Sequence, residues 1–274
     1  MRTLHAALQE AEDTIGRVDA RAIVCHLLGV DRAYLATHPM RVLTETEDAR
    51  IDFLVAQREL GQPVAYLVDK REFYGRDFAV DANVLIPRPE TETLVEAALA
   101  KLPAGACDVV DLGTGSGVIA VTLACERPDA RVTAVEASPG ALEVARANVQ
   151  RLAPGRVTLR PGSWYASVAG QRFDAIVANP PYVAAGDPHL ARGDLRFEPG
   201  QALTDGSADG LDSIRAIAAG AGAHLKRGGW LLLEHGYDQA EAVRAVLQQA
   251  GFDELESHPD LAGIPRVAAG RRKP

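Results

Sequence analysis

The sequence predicts an α/β fold, a doubly wound and mostly parallel sheet with a small N-terminal helical domain, and three observations carry that prediction. From residue 108 onward, short apolar runs alternate with segments of helical period, the pattern of parallel strands joined by crossover helices. The first such run ends in DLGTGSG, a glycine turn that leads straight into a helix. Ahead of residue 70 the texture differs, and apolar residues recur at helical spacing.

Taken in order, Leu4, Ala7, Leu8 and Ala11 mark one helical face. Asp19 is placed to cap a run through Ile23, Val24, Leu27 and Leu28 that Gly29 ends. A third helix is expected over 45–60, with Ile51, Leu54 and Val55 inward and Gly61 closing it. Phe73, Phe78 and Val80 then alternate around Tyr74-Gly75-Arg76, which predicts a hairpin. Beyond it, strands are expected over 108–113, 131–137, 156–162, 173–179 and 230–236, with a final pair near 252–258 and 266–271. Helices fill 90–101, 116–126, 139–152, 208–224 and 238–250. The domains therefore read as 1–70, helical; 71–88, a hairpin linker; and 89–274, the sheet domain.

The composition excludes several classes. The 274 residues are 47% hydrophobic and 24% charged, an ordinary soluble composition. Lys and Arg number 29 against 37 Asp and Glu, a net charge of −8, which argues against broad binding of a phosphate backbone. The start turns acidic by Glu10, and no apolar run reaches spanning length, so a cytoplasmic protein without a membrane partner is expected. Cys25, Cys107 and Cys125 are odd in number and form no C-x-x-C pair. Neither a disulfide framework nor a metal site is expected, and the three read as small buried apolar residues.

The glycine turn points to a ligand. Gly113, Gly115 and Gly117 let the backbone approach a bound molecule, and the helix start behind them offers free N–H groups. The second strand ends at Glu136, 23 residues after Gly113, where a carboxylate can accept both ribose hydroxyls of a nucleoside. Gly115, Gly117 and Ala120 also satisfy G-x-G-x-x-A, which keeps a nicotinamide-binding protein as a rival. The acidic Asp111 before G-x-G-x-G, with no catalytic His or Lys nearby, fits a sulfonium cofactor better.

Residues 175–183, AIVANPPYV, supply the second half of a site. Pro180 stops the strand, and Asn179 and Pro180, each preceding a proline, are held extended. The result is a stiff exit that displays carbonyls and an Asn side chain. If strands 108–113 and 173–179 are neighbours where the strand order reverses, the glycine turn and Asn179 line one crevice. An acceptor-rich motif there suits a substrate that donates, such as an NH2 group. With Asn179 Oδ1 and the Pro180 carbonyl each accepting one N–H, charge growing on the nitrogen would strengthen both bonds. Tyr182 would offer a flat face to the amide plane.

NPPY resembles the amino-methyltransferase signature of class I S-adenosyl-L-methionine (SAM) enzymes, a Rossmann-like fold. REFYGRDFAV, VLIPRPETE, DLGTGSG, VANPPYV, DPHL, RFEP and LLLEHG, in this order, resemble the peptide chain release factor N5-glutamine methyltransferase (PrmC/HemK) family across essentially the whole chain. The resemblance implies a SAM-dependent enzyme that methylates the Gln of a Gly-Gly-Gln loop in release factors and yields S-adenosyl-L-homocysteine. It implies that Asp111, Gly113, Thr114, Gly115, Ser116, Gly117, Glu136, Trp164 and Asn179 bind the cofactor. Asn179, Pro180, Pro181 and Tyr182 would form the glutamine site. Residues 1–70 resemble that family's substrate-side domain. Glu136 stands where many members have Asp, and Ile264-Pro265 departs from the acidic residue many carry before Arg-Val. The expected partner is a release factor, bound by a monomer that makes no direct contact with nucleic acid. The alternative is a nucleic-acid exocyclic-amine methyltransferase using the same NPPY.

Other residues carry less. His189 and His235 have no second ligand at metal spacing and read as surface or structural. Arg88 can meet substrate or tie the linker to Glu90 or Glu92. Asp194, Arg196 and Glu198 fall in a long loop suited to a lid or a substrate wall.

Overall fold

The computed structural model describes residues 2–273. The chain forms two compact units, Met1–Lys70 with Ala191–Phe197, and Arg71–Leu190 with Glu198–Pro274.

The first unit holds α1 (Leu4–Ile15), α2 (Arg17–Leu28), α3 (Arg32–Thr37), α4 (Glu45–Glu59) and α5 (Val64–Leu67). Thr3 caps α1, and α4 opens with a complete capping box made by Thr44 and Glu47. Leu4, Leu8, Val24 and Ile51 meet in its core. Asp19 does not cap α2. Gly16, with φ 82°, both ends α1 through its N–H on the Glu12 carbonyl and opens α2. The helix therefore starts earlier than the apolar run suggests, and Asp19 lies in its first turn. There it accepts a 2.7 Å hydrogen bond from Arg58 Nε, while Arg58 Nη1 donates to Asp194 at 2.9 Å. The segment Ala191–Phe197 thus belongs with the helices, so the sheet domain anticipated over 89–274 is interrupted.

The second unit starts at Arg71, inside a hairpin of β1 (Lys70–Phe73) and β2 (Arg76–Ala79). It continues through α6 (Thr91–Lys101), β3 (Cys107–Leu112), α7 (Val118–Glu126), β4 (Ala130–Glu136), α8 (Pro139–Leu152), β5 (Val157–Pro161) and β6 (Phe173–Ala178). After the excursion come α9 (Gly200–Leu203), α10 (Asp212–His224), β7 (Leu225–Glu234), α11 (Ala240–Gln249), β8 (Asp253–Pro259) and β9 (Pro265–Arg271). The sheet order is β5-β4-β3-β6-β7-β9-β8, with the first five parallel and β9 antiparallel to both neighbours. Side chains alternate between two cores: Val109, Val177 and Leu232 face α6 and α7, whereas Val110, Ile176 and Leu231 face α10 and α11. The order reverses between β3 and β6, so the crevice at the carboxyl ends of these adjacent strands is where a ligand can enter.

Several boundaries differ from expectation for local reasons. α7 starts at Val118 because Gly117, at φ 85°, is its N-cap. α10 starts at Asp212, after Gly210 turns with φ 68°. A Cβ at Gly210 would lie 2.1 Å from the Tyr182 carbonyl oxygen, so only glycine lets that turn pass the NPPY loop. β7 begins at Leu225, earlier than the apolar run, and ends at Glu234. Of the cysteines only Cys107 is fully buried. Among the described residues no helix is long and apolar enough to cross a membrane.

Candidate functional site

A cavity of about 340 Å³ opens at the carboxyl ends of β3, β4 and β6 in the second unit. Its size lies in the range of small-molecule sites, roughly 300–1,000 Å³. The glycine loop forms its floor. Gly113 and Thr114 N–H groups both donate to the Val135 carbonyl, at 2.9 and 3.0 Å, which bends the chain off the end of β3. Gly113 has φ 76° and lies under the Trp164 ring, whose nearest carbon would stand 3.4 Å from a Cβ there. Gly115, at φ 57°, would direct a Cβ into open space with no protein atom within 4 Å.

The acidic residues have different surroundings. Glu136, at the end of β4, accepts from Gly115 N–H through Oε2 and from Ser138 N–H through Oε1, both at 2.8 Å. It lines the cavity with its remaining lone pairs unassigned to protein. Asp111 is fully buried beneath the loop and does not line the cavity. Its Oδ2 accepts from the Thr114 hydroxyl at 2.5 Å, and Oδ1 has no partner. Burial pushes this carboxyl up to about 7, against the pull of Thr114 and the Ala120 N–H. Asp111 therefore meets a ligand only through the loop it supports. Gly117 likewise sits behind the cavity as a helix cap.

On the far wall, β6 ends at Ala178 and delivers the NPPY loop. Asn179 and Pro181 line the cavity, whereas Pro180 is buried behind them. Asn179 Nδ2 donates one N–H to the Thr91 hydroxyl at 3.2 Å, and Oδ1 accepts from no protein donor among the described residues. Tyr182 packs its ring partly into the core beneath α10 and gives its hydroxyl to Glu234 Oε1 at 3.2 Å. Burial raises its phenol well above the usual range. Among the described residues no group of His, Cys, Asp and Glu is placed to hold a metal ion.

Arg88 lines the cavity and pairs with neither Glu90 nor Glu92. Its guanidinium is bonded to the buried Glu198, whose other oxygen accepts from Ile86 N–H at 2.9 Å. Glu92 instead accepts from Tyr74 N–H at 2.8 Å. Glu198 of RFEP, behind the cavity, thus holds Arg88 of IPRP in place. His189 is exposed and bonded to Asp187 at 2.7 Å. His235 is wholly buried, its Nδ1 against the Gly236 carbonyl, and burial holds its pKa low. Arg196 donates to the Leu60 carbonyl at 2.7 Å within the helical unit.

Two residues near Asn179, Thr91 and Glu234, carry no motif of their own in the sequence. Thr91 was visible only as the start of a helix, and Glu234 only as part of an apolar strand. The available signal was the acid itself, one carboxylate closing the run WLLLEHG.

Comparison with known proteins follows the same division. Residues 1–68 match a family described as PrmC N-terminal domain, and 90–194 match the methyltransferase small domain. A release factor glutamine methyltransferase of Xylella fastidiosa is 50% identical over 97% of this chain and 97% of its own. That of Burkholderia pseudomallei is 52% identical over 93% and 91%. Among solved structures, a methyltransferase from Pyrococcus furiosus covers 84% of this chain and 100% of its own, with a TM-score of 0.56 at 19% identity. A 16S rRNA N2 G1207 methyltransferase of T. thermophilus, solved with AdoMet and guanosine, gives a TM-score of 0.51 at 20% identity, over 74% of this chain and 50% of its own. These two likenesses describe the fold.

Proposed function

The chain belongs to the release factor glutamine methyltransferase family, and from that premise we propose that the cavity binds SAM and that NPPY receives the glutamine of a release factor's Gly-Gly-Gln loop. The observation that carries this reading is the amide of Asn179. One of its two N–H groups is given to Thr91, which anchors the amide and leaves Oδ1, bonded to no protein donor among the described residues, to accept a substrate N–H. The relatives that match over nearly their whole length are named for a protein substrate, which favours a release factor over a nucleic-acid amine.

The residues present suit SAM. The open space at Gly115, the Trp164 ring over Gly113 and the half-buried carboxylate of Glu136 make a cradle with one apolar wall and one acceptor for hydroxyls. SAM supplies an electrophilic methyl group there. An amide nitrogen is a poor nucleophile because its lone pair is delocalised into the carbonyl. Asn179 Oδ1 and the Pro180 carbonyl would hold its two hydrogens and present the lone-pair face. Both bonds strengthen as the nitrogen becomes positive, so they stabilise the transition state more than the ground state. No base is needed beforehand, since the proton becomes acidic only as the N–C bond forms. The helical unit would recognise the release factor, in the cytoplasm.

The test is purified protein with methyl-labelled SAM and a class 1 release factor. Label should enter the intact factor and not a factor whose loop Gln is replaced by Glu. Asn179→Ala should lower the rate about 10²–10³-fold while changing cofactor affinity far less. Equal labelling of the Glu loop, or a wild-type rate in Asn179→Ala, overturns the assignment.

A further inference from the structure

Glu234 is a buried carboxylate, 1% exposed, for which the reaction outlined above has no use. In the sheet Ala178 pairs with Leu233, so the next residues, Asn179 and Glu234, leave adjacent parallel strands side by side. Both side chains emerge on the face covered by α6, whose first residue is Thr91. Thr91, 2% exposed, accepts from Asn179 Nδ2 and so still has its own proton to give. Thr91 lies near enough to favour the charged form of Glu234, with no closed hydrogen bond between the two in the resting geometry. Tyr182, from the other end of NPPY, donates to Oε1, while Oε2 has no hydrogen-bond partner of its own. A buried acid with an oxygen left over is costly, and such groups call for a reason beyond packing.

We propose that Glu234 is a positioning residue for methyl transfer, an acceptor that fixes the direction of a hydrogen-bond chain ending in Asn179. In its ionised form, which it takes as pH rises through about 7, it can only accept. The Thr91 proton is therefore drawn toward it, the Thr91 lone pair is left for Asn179 Nδ2, and Asn179 Oδ1 is turned to the cavity. The same carboxylate holds the Tyr182 hydroxyl, so both ends of NPPY are fixed by one group. A donor in its place reverses the chain. Thr91 then accepts from that donor, its own proton points at Asn179, and the amide gains from presenting NH2 to the substrate, where it repels the N–H it should hold.

The inference rests on the glutamine-methyltransferase reading, and the experiment separates the two. Glu234→Gln keeps the volume and introduces a donor; Thr91→Val keeps the shape and breaks the chain; Thr91→Ser restores the hydroxyl. With labelled SAM and intact release factor, kcat should fall about 10–100-fold in Glu234→Gln and Thr91→Val, in line with the loss of groups that orient a reacting residue. The dissociation constant for SAM and the KM for release factor should stay near wild type, and Thr91→Ser should recover most of kcat. The double variant should be no worse than the poorer single one, as expected of two members of one chain. Wild-type kcat in Glu234→Gln, or a fall matched by lost SAM affinity, overturns the positioning role. If Glu234→Gln does not fold, the Thr91 pair decides: equal kcat in Thr91→Val and Thr91→Ser refutes the chain. A wild-type protein that transfers no methyl to release factor refutes the underlying reading and this inference with it.

Discussion

The Asn179 amide, the Thr91 hydroxyl and the Glu234 carboxylate show how far single residues could be read from the chain. Asn179 was legible because Pro-Pro after a strand is an unusual stop that leaves acceptors on display. Thr91 and Glu234 were not, since their meaning comes from meeting Asn179 across 88 positions in one case and across a sheet register in the other. Burial pushes the Glu234 carboxyl from its ordinary 4.5 up to about 7, the Thr91 and Tyr182 hydroxyls and Arg266 opposing and Glu90 assisting. In that window the folded protein holds a proton that the unfolded chain has released, so this group's contribution falls as pH rises from about 4.5 to 7. Glu234→Gln has no such dependence. Its stability relative to wild type should therefore improve with pH across the window, by an amount on the order of 3 kcal/mol in total. Denaturant titrations of both proteins at pH 5, 6, 7 and 8 check this. A constant difference would mean that Glu234 is charged throughout.

At the scale of elements, period and punctuation located most strands and helices, and the misplaced ends have identifiable causes. Gly117 and Gly210 fall inside the helices that period predicts, yet each takes a positive φ that ends helical geometry. The six-residue α3 and the four-residue α5 are too short to show a period at all. What no period could show is how the elements are tied. Asn148, on α8 and fully buried, gives Nδ2 to the carbonyls of Ala79 and Ser116, both at 2.9 Å, and accepts from Ala79 N–H at 2.8 Å. One side chain thus joins the end of the hairpin, the glycine loop and a helix. Asn148→Leu would leave these buried backbone groups unpaired, at about 1–3 kcal/mol for each that water does not reach. The variant should unfold at lower denaturant and bind SAM more weakly, because Ser116 belongs to the loop. Calorimetry on the folded variant decides the second half, and unchanged affinity would show that the loop holds its shape without Asn148.

For the whole molecule, the sequence marked a boundary near residue 70 but gave no sign that the chain returns to its first unit after NPPY. The stretch following Tyr182 has no period and reads as a loop; the contact that assigns part of it joins Arg58 to Asp194, 136 residues apart. Arg58 is the centre of that contact, donating to Asp19 at 2.7 Å, to Asp194 at 2.9 Å and to the Gln62 carbonyl at 3.1 Å. Its side chain is 24% exposed, so the bonds are only partly screened by water. Hydrogen bonds to charged groups contribute about 1.5–3 kcal/mol each when sheltered, and the lower figure suffices to change a local opening equilibrium about tenfold. Arg58→Ala should therefore speed amide exchange across Ala191–Phe197 by about tenfold and hasten tryptic cleavage after Arg192 and Arg196. Asp194→Asn should do the same more weakly, and the two changes together should not add. SAM affinity should be unaffected, because none of these residues lines the cavity. If the helical unit recognises release factor, methylation of the intact factor should slow in both variants, since the segment begins nine residues after Tyr182 and is covalently continuous with the proposed glutamine site. Faster exchange with undiminished methylation would confine the Arg58 contact to the stability of the helical unit. Unchanged exchange in both variants would mean that Ala191–Phe197 is held by its apolar contacts, without need of the ion pair.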